Sequence, residues 1–214
     1  EEKQVLAEAV IIATGATARY LGLPSEERFK GLGVSACATC DGFFYKGKEV
    51  AVVGGGDTAC EEATYLAGLC RKVYLVVRKN YLRASKAMQE RVFNTPNIEV
   101  LFEHNTKELY GTDMGLEGAR LLYKMGTPEE KEVDIRIDGF FLAIGHTPNT
   151  AVFKEYIATD EQGYILTEGK STKTNVAGVF AAGDVMDPVY RQGITSAGSG
   201  CRAAIDVEHY LAEL

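Results

Sequence analysis

The chain has 214 residues, 46% of them hydrophobic and 25% charged, with a formal net charge of -7. That is ordinary for a globular protein and long enough for one large or two modest domains with real cores. The acidic balance offers no basic field for nucleic acid or anionic lipid, and no apolar run approaches the roughly 20 residues of a membrane-spanning helix, so neither nucleic acid nor membrane is expected as a partner.

Five cysteines form an odd set without the spacing of a disulfide framework, and no signal-peptide pattern opens the chain. A reducing cytoplasm is the expected compartment. The chain begins without methionine at Glu1-Glu2-Lys3-Gln4 and runs at once into Ala9-Val10-Ile11-Ile12-Ala13. This reads as a buried-type strand entered mid-domain, ending in the turn Thr14-Gly15. Leu21-Gly22-Leu23-Pro24-Ser25-Glu26-Glu27 then supplies turn residues and a helix-cap pattern, a suitable place for a domain crossing.

The stretch Ser35-Ala36-Cys37-Ala38-Thr39-Cys40-Asp41-Gly42 carries a Cys-x-x-Cys pair. A ring so short removes little chain entropy and stabilises a fold weakly, so chemistry is the better reason for it. A structural zinc site would need two further ligands at short spacing. Cys60, Cys70 and Cys201 are scattered, and His104, His146 and His209 stand alone. An inert buried pair is the plain alternative. Asp41 beside Cys40 argues against it, because a carboxyl next to a thiol is costly in a core and useful as a proton carrier. A redox pair is the leading reading, and no metal site is expected.

Glu49-Val50-Ala51-Val52-Val53 suits a strand buried on both faces. It is followed by Gly54-Gly55-Gly56-Asp57-Thr58-Ala59 and a helix-like run from Cys60 to Ala67. A Gly-x-Gly-x-x-Ala turn between strand and helix fits a dinucleotide pyrophosphate at the helix N-terminus. The second strand, Val73 to Val77, leads to Arg78, Lys79 and Arg83 with no acid at the position where a ribose 2'-hydroxyl is usually held. Cations there favour the 2'-phosphate of NADPH.

Helix is expected from Arg83 to Arg91 and a strand from Asn97 to Phe102. Two strands joined around Gly126-Thr127-Pro128-Glu129-Glu130 are expected between Gly118 and Ile137. The apolar run Gly139 to Gly145 leads into His146-Thr147-Pro148-Asn149, read as the return crossing. Gly178 to Asp184 reads as a buried strand ending at an acid. Tyr190 to Gly200 brings small residues to a helix entrance where a flat ligand could lie close, and the amphipathic helix itself is expected from Cys201 to Leu214.

Taken together, these pieces resemble the low-molecular-weight thioredoxin reductases. The matching stretches are Ala13-Thr14-Gly15, Ala36 to Phe44, Gly54 to Ala59, Ala143 to Asn149, Ala181 to Val185, Arg191-Gln192 and Ala197 to Cys201. The resemblance implies an α/β chain: a Rossmann-like NADPH domain over residues 22–144, inserted into an FAD domain over residues 1–21 and 145–214 that lacks its N-terminal part and first glycine-rich fingerprint. It implies that Cys37 and Cys40 form the redox disulfide, with Cys40 nearer the flavin, Cys37 attacking the partner's disulfide, and Asp41 as acid and base.

By the same resemblance Gly54, Gly56, Asp57, Thr58, Ala59, Arg78, Lys79 and Arg83 serve NADPH, Gly183, Asp184, Arg191, Gln192 and Gly193 serve FAD, and Ile144 and Gly145 are further cofactor-binding residues. Thioredoxin is the implied partner and a homodimer the implied assembly of the full-length protein. Gly15-Ala16-Thr17 and Gly145-His146-Thr147 fall near hinges about which the NADPH domain would rotate. Val77-Arg78-Lys79 stands where the family commonly has His-Arg-Arg, and Gly193 where it has alanine. The flavoprotein of alkyl hydroperoxide reductase is the nearest enzyme alternative, disfavoured by Ala38-Thr39 between the cysteines. A flavin-free NADPH-binding fragment is the other.

Overall fold

The computed structural model describes residues 4–214, and the opening Glu1-Glu2-Lys3 lies outside the described residues. In chain order the first elements are β1 (Val10–Ile12), β2 (Ala16–Ala18), α1 (Pro24–Phe29), β3 (Val34–Ser35), α2 (Ala38–Asp41), β4 (Glu49–Val53), α3 (Asp57–Ala67), β5 (Lys72–Val77) and α4 (Lys86–Phe93). They are followed by β6 (Ile98–Phe102), β7 (His104–Thr112), β8 (Gly115–Tyr123), β9 (Lys131–Arg136), β10 (Gly139–Leu142), β11 (His146–Pro148), β12 (Val179–Ala181) and α5 (Gly193–Ala212). The chain divides into two compact units, Arg19–Gly145 and the segment ending at Ala18 together with His146–Leu214.

Within Arg19–Gly145 a parallel sheet runs in the order β3-β10-β4-β5-β6. Parallel strands joined through helices are buried on both faces and so read as continuous apolar runs. Their period of two sorts the side chains into two layers. Val50, Val52, Val73, Leu75, Val77 and Phe141 pack towards Ala59, Ala63 and Leu66 of α3. Ala51, Val53, Val76, Phe140 and Leu142 pack with Leu109, Ala119, Leu121 and Ile135 of the antiparallel sheet β7-β8-β9.

Several expectations are corrected here. The antiparallel sheet has a strand, β7, absent from the sequence reading. Its polar-rich run His104-Asn105-Thr106-Lys107-Glu108 pairs with β8 through an irregular register, which blurs the alternation that marks strands. The helix expected from Arg83 begins at Lys86, because Leu82 and Ala84 are buried and hold that segment against the core.

In the second unit β1 pairs in parallel with β12, and β2 in antiparallel with β11. β1 is not a fully buried strand: Ile12 is buried while Val10 and Ile11 are 45% and 42% exposed. The β2–β11 pair is fastened by Thr14 and Asn149. The Thr14 hydroxyl donates to the Asn149 carbonyl (2.8 Å) and the Asn149 amide donates back to the Thr14 carbonyl (2.9 Å). The helix expected from Cys201 begins at Gly193. Glycine and serine are poor helix formers, and here tertiary bonds override that preference: Ser199 Oγ accepts from the Gly183 N–H (2.8 Å) and donates to the Ser196 carbonyl (2.9 Å).

Candidate functional site

The unit Arg19–Gly145 carries two sets of chemistry-bearing residues. The first follows β3. Cys37 caps the short helix α2 and forms a disulfide with Cys40, with 5.3 Å between the Cα atoms. The Asp41 N–H donates to the Cys37 carbonyl (3.1 Å), the Cys40 N–H points at Cys37 Sγ (3.2 Å), and Thr39 Oγ1 lies 3.4 Å from the same sulfur. Cys37 is half-buried and Cys40 exposed.

Asp41 belongs to the same turn. Buried Ser35 accepts from the Cys37 N–H (3.0 Å) and donates its hydroxyl proton to Asp41 Oδ2 (2.7 Å). Ser35 therefore couples the carboxylate to the capping cysteine, a role that sequence reasoning missed. The available signal was a serine two residues before the cysteine, a spacing that favours a side-chain-to-backbone turn. Burial, and then the Asp41 charge, push the Tyr45 phenol above its ordinary value. Cys60 and Cys70 differ from the pair, since burial pushes both thiols up to about 11 and leaves them poor nucleophiles at neutral pH.

The second set surrounds a cavity of about 550 Å³ at the C-terminal ends of β4 and β5, the edge at which open parallel sheets bind ligands. Of the sequence-predicted residues it brings together Gly54, Gly56, Thr58, Arg78, Lys79, Arg83, Ile144 and Gly145. Gly54 is at φ +150, and a Cβ there would stand 2.5 Å from the Ala143 carbonyl oxygen and 2.7 Å from the Ala59 Cβ. Only glycine lets the turn pack this closely. A Cβ on Gly56 would meet nothing within 4 Å, so the room beyond it belongs to the cavity. α3 begins there, with Gly56 as its N-cap and no side-chain cap, and the first N–H groups of a helix have no intrahelical partner.

Asp57 and Ala59 are not brought to the cavity wall. Ala59 is fully buried, and Asp57 Oδ1 accepts from the Ser85 N–H (2.9 Å), a bond that with the Ser85 hydroxyl holds its carboxyl below the usual range. Sequence reasoning missed Arg19, Leu21, Tyr81, His104, Asn105 and Thr106, all of which line the cavity. The last three sit on β7, whose strand character the sequence did not display.

Gly183, Asp184, Arg191, Gln192 and Gly193 lie in the other unit. Gly183 is at φ +77, and Asp184 Oδ1 accepts from Ser196 Oγ (2.7 Å) at the first turn of α5. Asp187 Oδ1 accepts from the N–H groups of Val189 and Tyr190 (each 2.9 Å) and its Oδ2 from that of Arg191 (3.1 Å). Burial alone would raise this carboxyl, but the three bonds hold it below its ordinary value. The loop before α5 is thereby fixed, and Gly193, Gly198 and Gly200 each have open space where a side chain would begin.

Residues 1–202 match the family described as pyridine nucleotide-disulphide oxidoreductase. The chain is 52% identical over 214 residues to a thioredoxin reductase of Coxiella burnetii, covering 97% of this chain and 66% of that protein. It is also 52% identical over 211 residues to a glucosaminate ammonia-lyase of Pseudomonas fluorescens, covering 95% of this chain and 64% of that one. Among solved structures it superposes on a thioredoxin reductase of Streptococcus pyogenes with a TM-score of 0.89 at 38% identity, covering 96% of this chain and 66% of the other. The chain thus spans about two thirds of the length of the relatives it matches.

Proposed function

Because the chain belongs to the pyridine nucleotide-disulphide oxidoreductases, we propose that it acts in a thioredoxin-disulfide reductase, carrying electrons from NADPH by way of FAD to the Cys37–Cys40 disulfide and on to thioredoxin. Two relatives of equal identity bear different activities in their names, so likeness alone does not carry the choice. The observation that carries it is the disulfide, held on one turn with Asp41 through Ser35.

The residues present fit NADPH and the part of FAD that would lie along Asp184 and the entrance of α5. For NADPH, the clash-limited Gly54, the open space at Gly56 and the α3 N-terminus would hold a pyrophosphate, and Arg78, Lys79 and Arg83 would hold the 2'-phosphate. For FAD, Asp184 has one carboxylate oxygen on Ser196 and a second able to accept from a ribityl hydroxyl, while Arg191, Gln192 and Gly193 shape the entrance of α5. Bound there, the two groups would supply the electron pair that opens the disulfide.

The chain's own residues do the rest. Opening the S–S bond takes two electrons and two protons, and Asp41, joined to the cysteine turn through Ser35, would be the group that moves a proton there. In the disulfide, Cys37 Sγ lies 3.2 Å from the Cys40 nitrogen and 3.4 Å from Thr39 Oγ1; a thiolate there would be stabilised by both donors, which supports Cys37 as the attacking sulfur. It attacks the partner disulfide and expels one partner thiolate. Cys40 then attacks Cys37 Sγ, which releases the reduced partner and restores the disulfide. Such a cycle suits a reducing cytoplasm. Val189, Tyr190 and Ile194 are largely exposed, an apolar surface that a second copy would cover in a homodimer.

The test is Cys40→Ser. With FAD, NADPH and oxidised thioredoxin supplied, turnover should vanish and a mixed disulfide on Cys37 should accumulate, while NADP⁺ binding is retained. Undiminished thioredoxin reduction would overturn the reading.

A further inference from the structure

Tyr81 stands in the turn between β5 and α4, 51% exposed, and forms part of two cavity walls. One is the 550 Å³ cavity at the glycine turn; the other, of about 570 Å³, is also lined by Arg78, Lys79, Asn105 and Lys124. The turn that carries Tyr81 is fixed. The Arg83 N–H donates to the Gly55 carbonyl (2.6 Å), the Ser85 N–H donates to Asp57 Oδ1 (2.9 Å), and Leu82 and Ala84 are buried on either side of Arg83. Its position relative to the glycine turn is therefore set by the fold rather than by a ligand.

Lys79 Nζ lies 2.9 Å from the Tyr81 hydroxyl and 5.1 Å from the ring centroid. An ammonium only donates, so in this bond the phenolic oxygen accepts and its own proton is left to donate elsewhere. The hydrogen bond and charge of Lys79, with a smaller contribution from Arg83, hold the phenol below its ordinary value, which makes its O–H a stronger donor. Lys79 brings a point charge without the planar fork of a guanidinium. The Tyr81 O–H, on a side chain with few rotatable bonds, adds the directed donor that Lys79 lacks.

We propose that Tyr81 is a specificity-determining residue of this cavity, donating its phenolic hydrogen to the ribose 2'-phosphate of the dinucleotide and so favouring NADPH over NADH. The inference rests on the NADPH reading above and names a selector within that site. A phosphate offers charged acceptor oxygens to this donor. A 2'-hydroxyl offers only a neutral one, so removing the donor affects one cofactor and not the other.

The experiment is calorimetric titration of the full chain with NADP⁺ and with NAD⁺ at one fixed salt concentration, comparing wild type with Tyr81→Phe. The substitution removes a single oxygen from a half-exposed ring, so folding is not at stake. NADP⁺ binding should weaken about tenfold, the size of a hydrogen bond to a charged group, with NAD⁺ binding unchanged to within about twofold. Repeating the comparison in a Lys79→Met background should shrink the effect, because Lys79 orients and polarises the hydroxyl. Equal weakening of both nucleotides, or no weakening of NADP⁺, would overturn the proposal. A wild type that binds NADP⁺ no better than NAD⁺ would overturn the NADPH reading beneath it, and the role of Tyr81 with it.

Discussion

The two compact units are held together by different means. In Arg19–Gly145, aliphatic and aromatic side chains fill both faces of a five-stranded sheet, and Val50, Val52, Leu75 and Phe141 are wholly buried. In the unit containing α5 the sheets have two strands each, and carboxylates clasp the loops. Asp206 accepts from the Ser171 hydroxyl (3.0 Å) and from both the N–H and the hydroxyl of Thr172 (2.7 Å each), Asp187 from the loop before α5, and Asp160 from the N–H groups of Gln162 (2.8 Å) and Tyr164 (2.9 Å). Apolar burial scales with area and is indifferent to pH, whereas a carboxylate clasp depends on geometry and on ionisation. The first unit should therefore be the more sensitive to cavities, while the loops of the second, around its smaller apolar cluster of Ile12, Ile157, Ile165, Ala181 and Val185, should also be sensitive to lost charge.

The sharpest way to break this contrast is Phe141→Ala. The ring is fully buried and meets Tyr45 edge-on at 5.3 Å between centroids, so its loss should cost about 3–5 kcal/mol, read from the denaturant midpoint of the full chain. A loss under about 1 kcal/mol would remove the apolar account of that unit. Asp206→Ala should cost less, about 1–2 kcal/mol, and should act locally. Hydrogen exchange at the Ala181 amide, which donates to the Thr172 carbonyl, should speed up while amides of β4 and β5 keep their protection. Uniform loss of protection would mean that the clasp is not a local device.

The smallest effect is in pH. Thr172, first through its N–H and then through its hydroxyl, holds the Asp206 carboxyl below its ordinary 3.8. A carboxyl depressed by folding contributes stability that is fully present above its unfolded value and is lost as pH falls through its folded value. Asp206→Asn should therefore flatten the acid limb of stability below about pH 4, whereas Phe141→Ala should lower the whole profile without changing its shape. A wild-type acid limb that persists in Asp206→Asn would shift the credit to Asp187 or other carboxylates.

The same contrast explains what the sequence displayed. β4, β5 and β10 are buried on both faces, so Val50-Ala51-Val52-Val53, Val73 to Val77 and Phe140-Phe141-Leu142 stand out as apolar runs, and the glycine turn between β4 and α3 was readable with them. β7 has one face towards solvent and an irregular register, and with it went the His104, Asn105 and Thr106 wall of the cavity. The first turns of α5 were hidden because they are rich in glycine and serine, and the bonds that tie them down, Ser196 to Asp184 and Ser199 to Gly183 and Ser196, are announced by no local preference. The cysteine turn was conspicuous as a motif, but the Ser35 bridge to Asp41 depends on where β3 ends, and only coordinates supply that.

The disulfide lies within a single helical turn, with the Asp41 N–H on the Cys37 carbonyl and the Cys40 N–H on Cys37 Sγ. The backbone bond closes a helical turn of its own, which keeps the two cysteines one turn apart in sequence and space. Any adduct on one sulfur, whether from a protein partner or a small thiol, therefore faces the other at the high effective molarity of an oriented intramolecular reaction. The turn is thus a self-clearing one: a mixed disulfide persists only when its resolving neighbour has been removed.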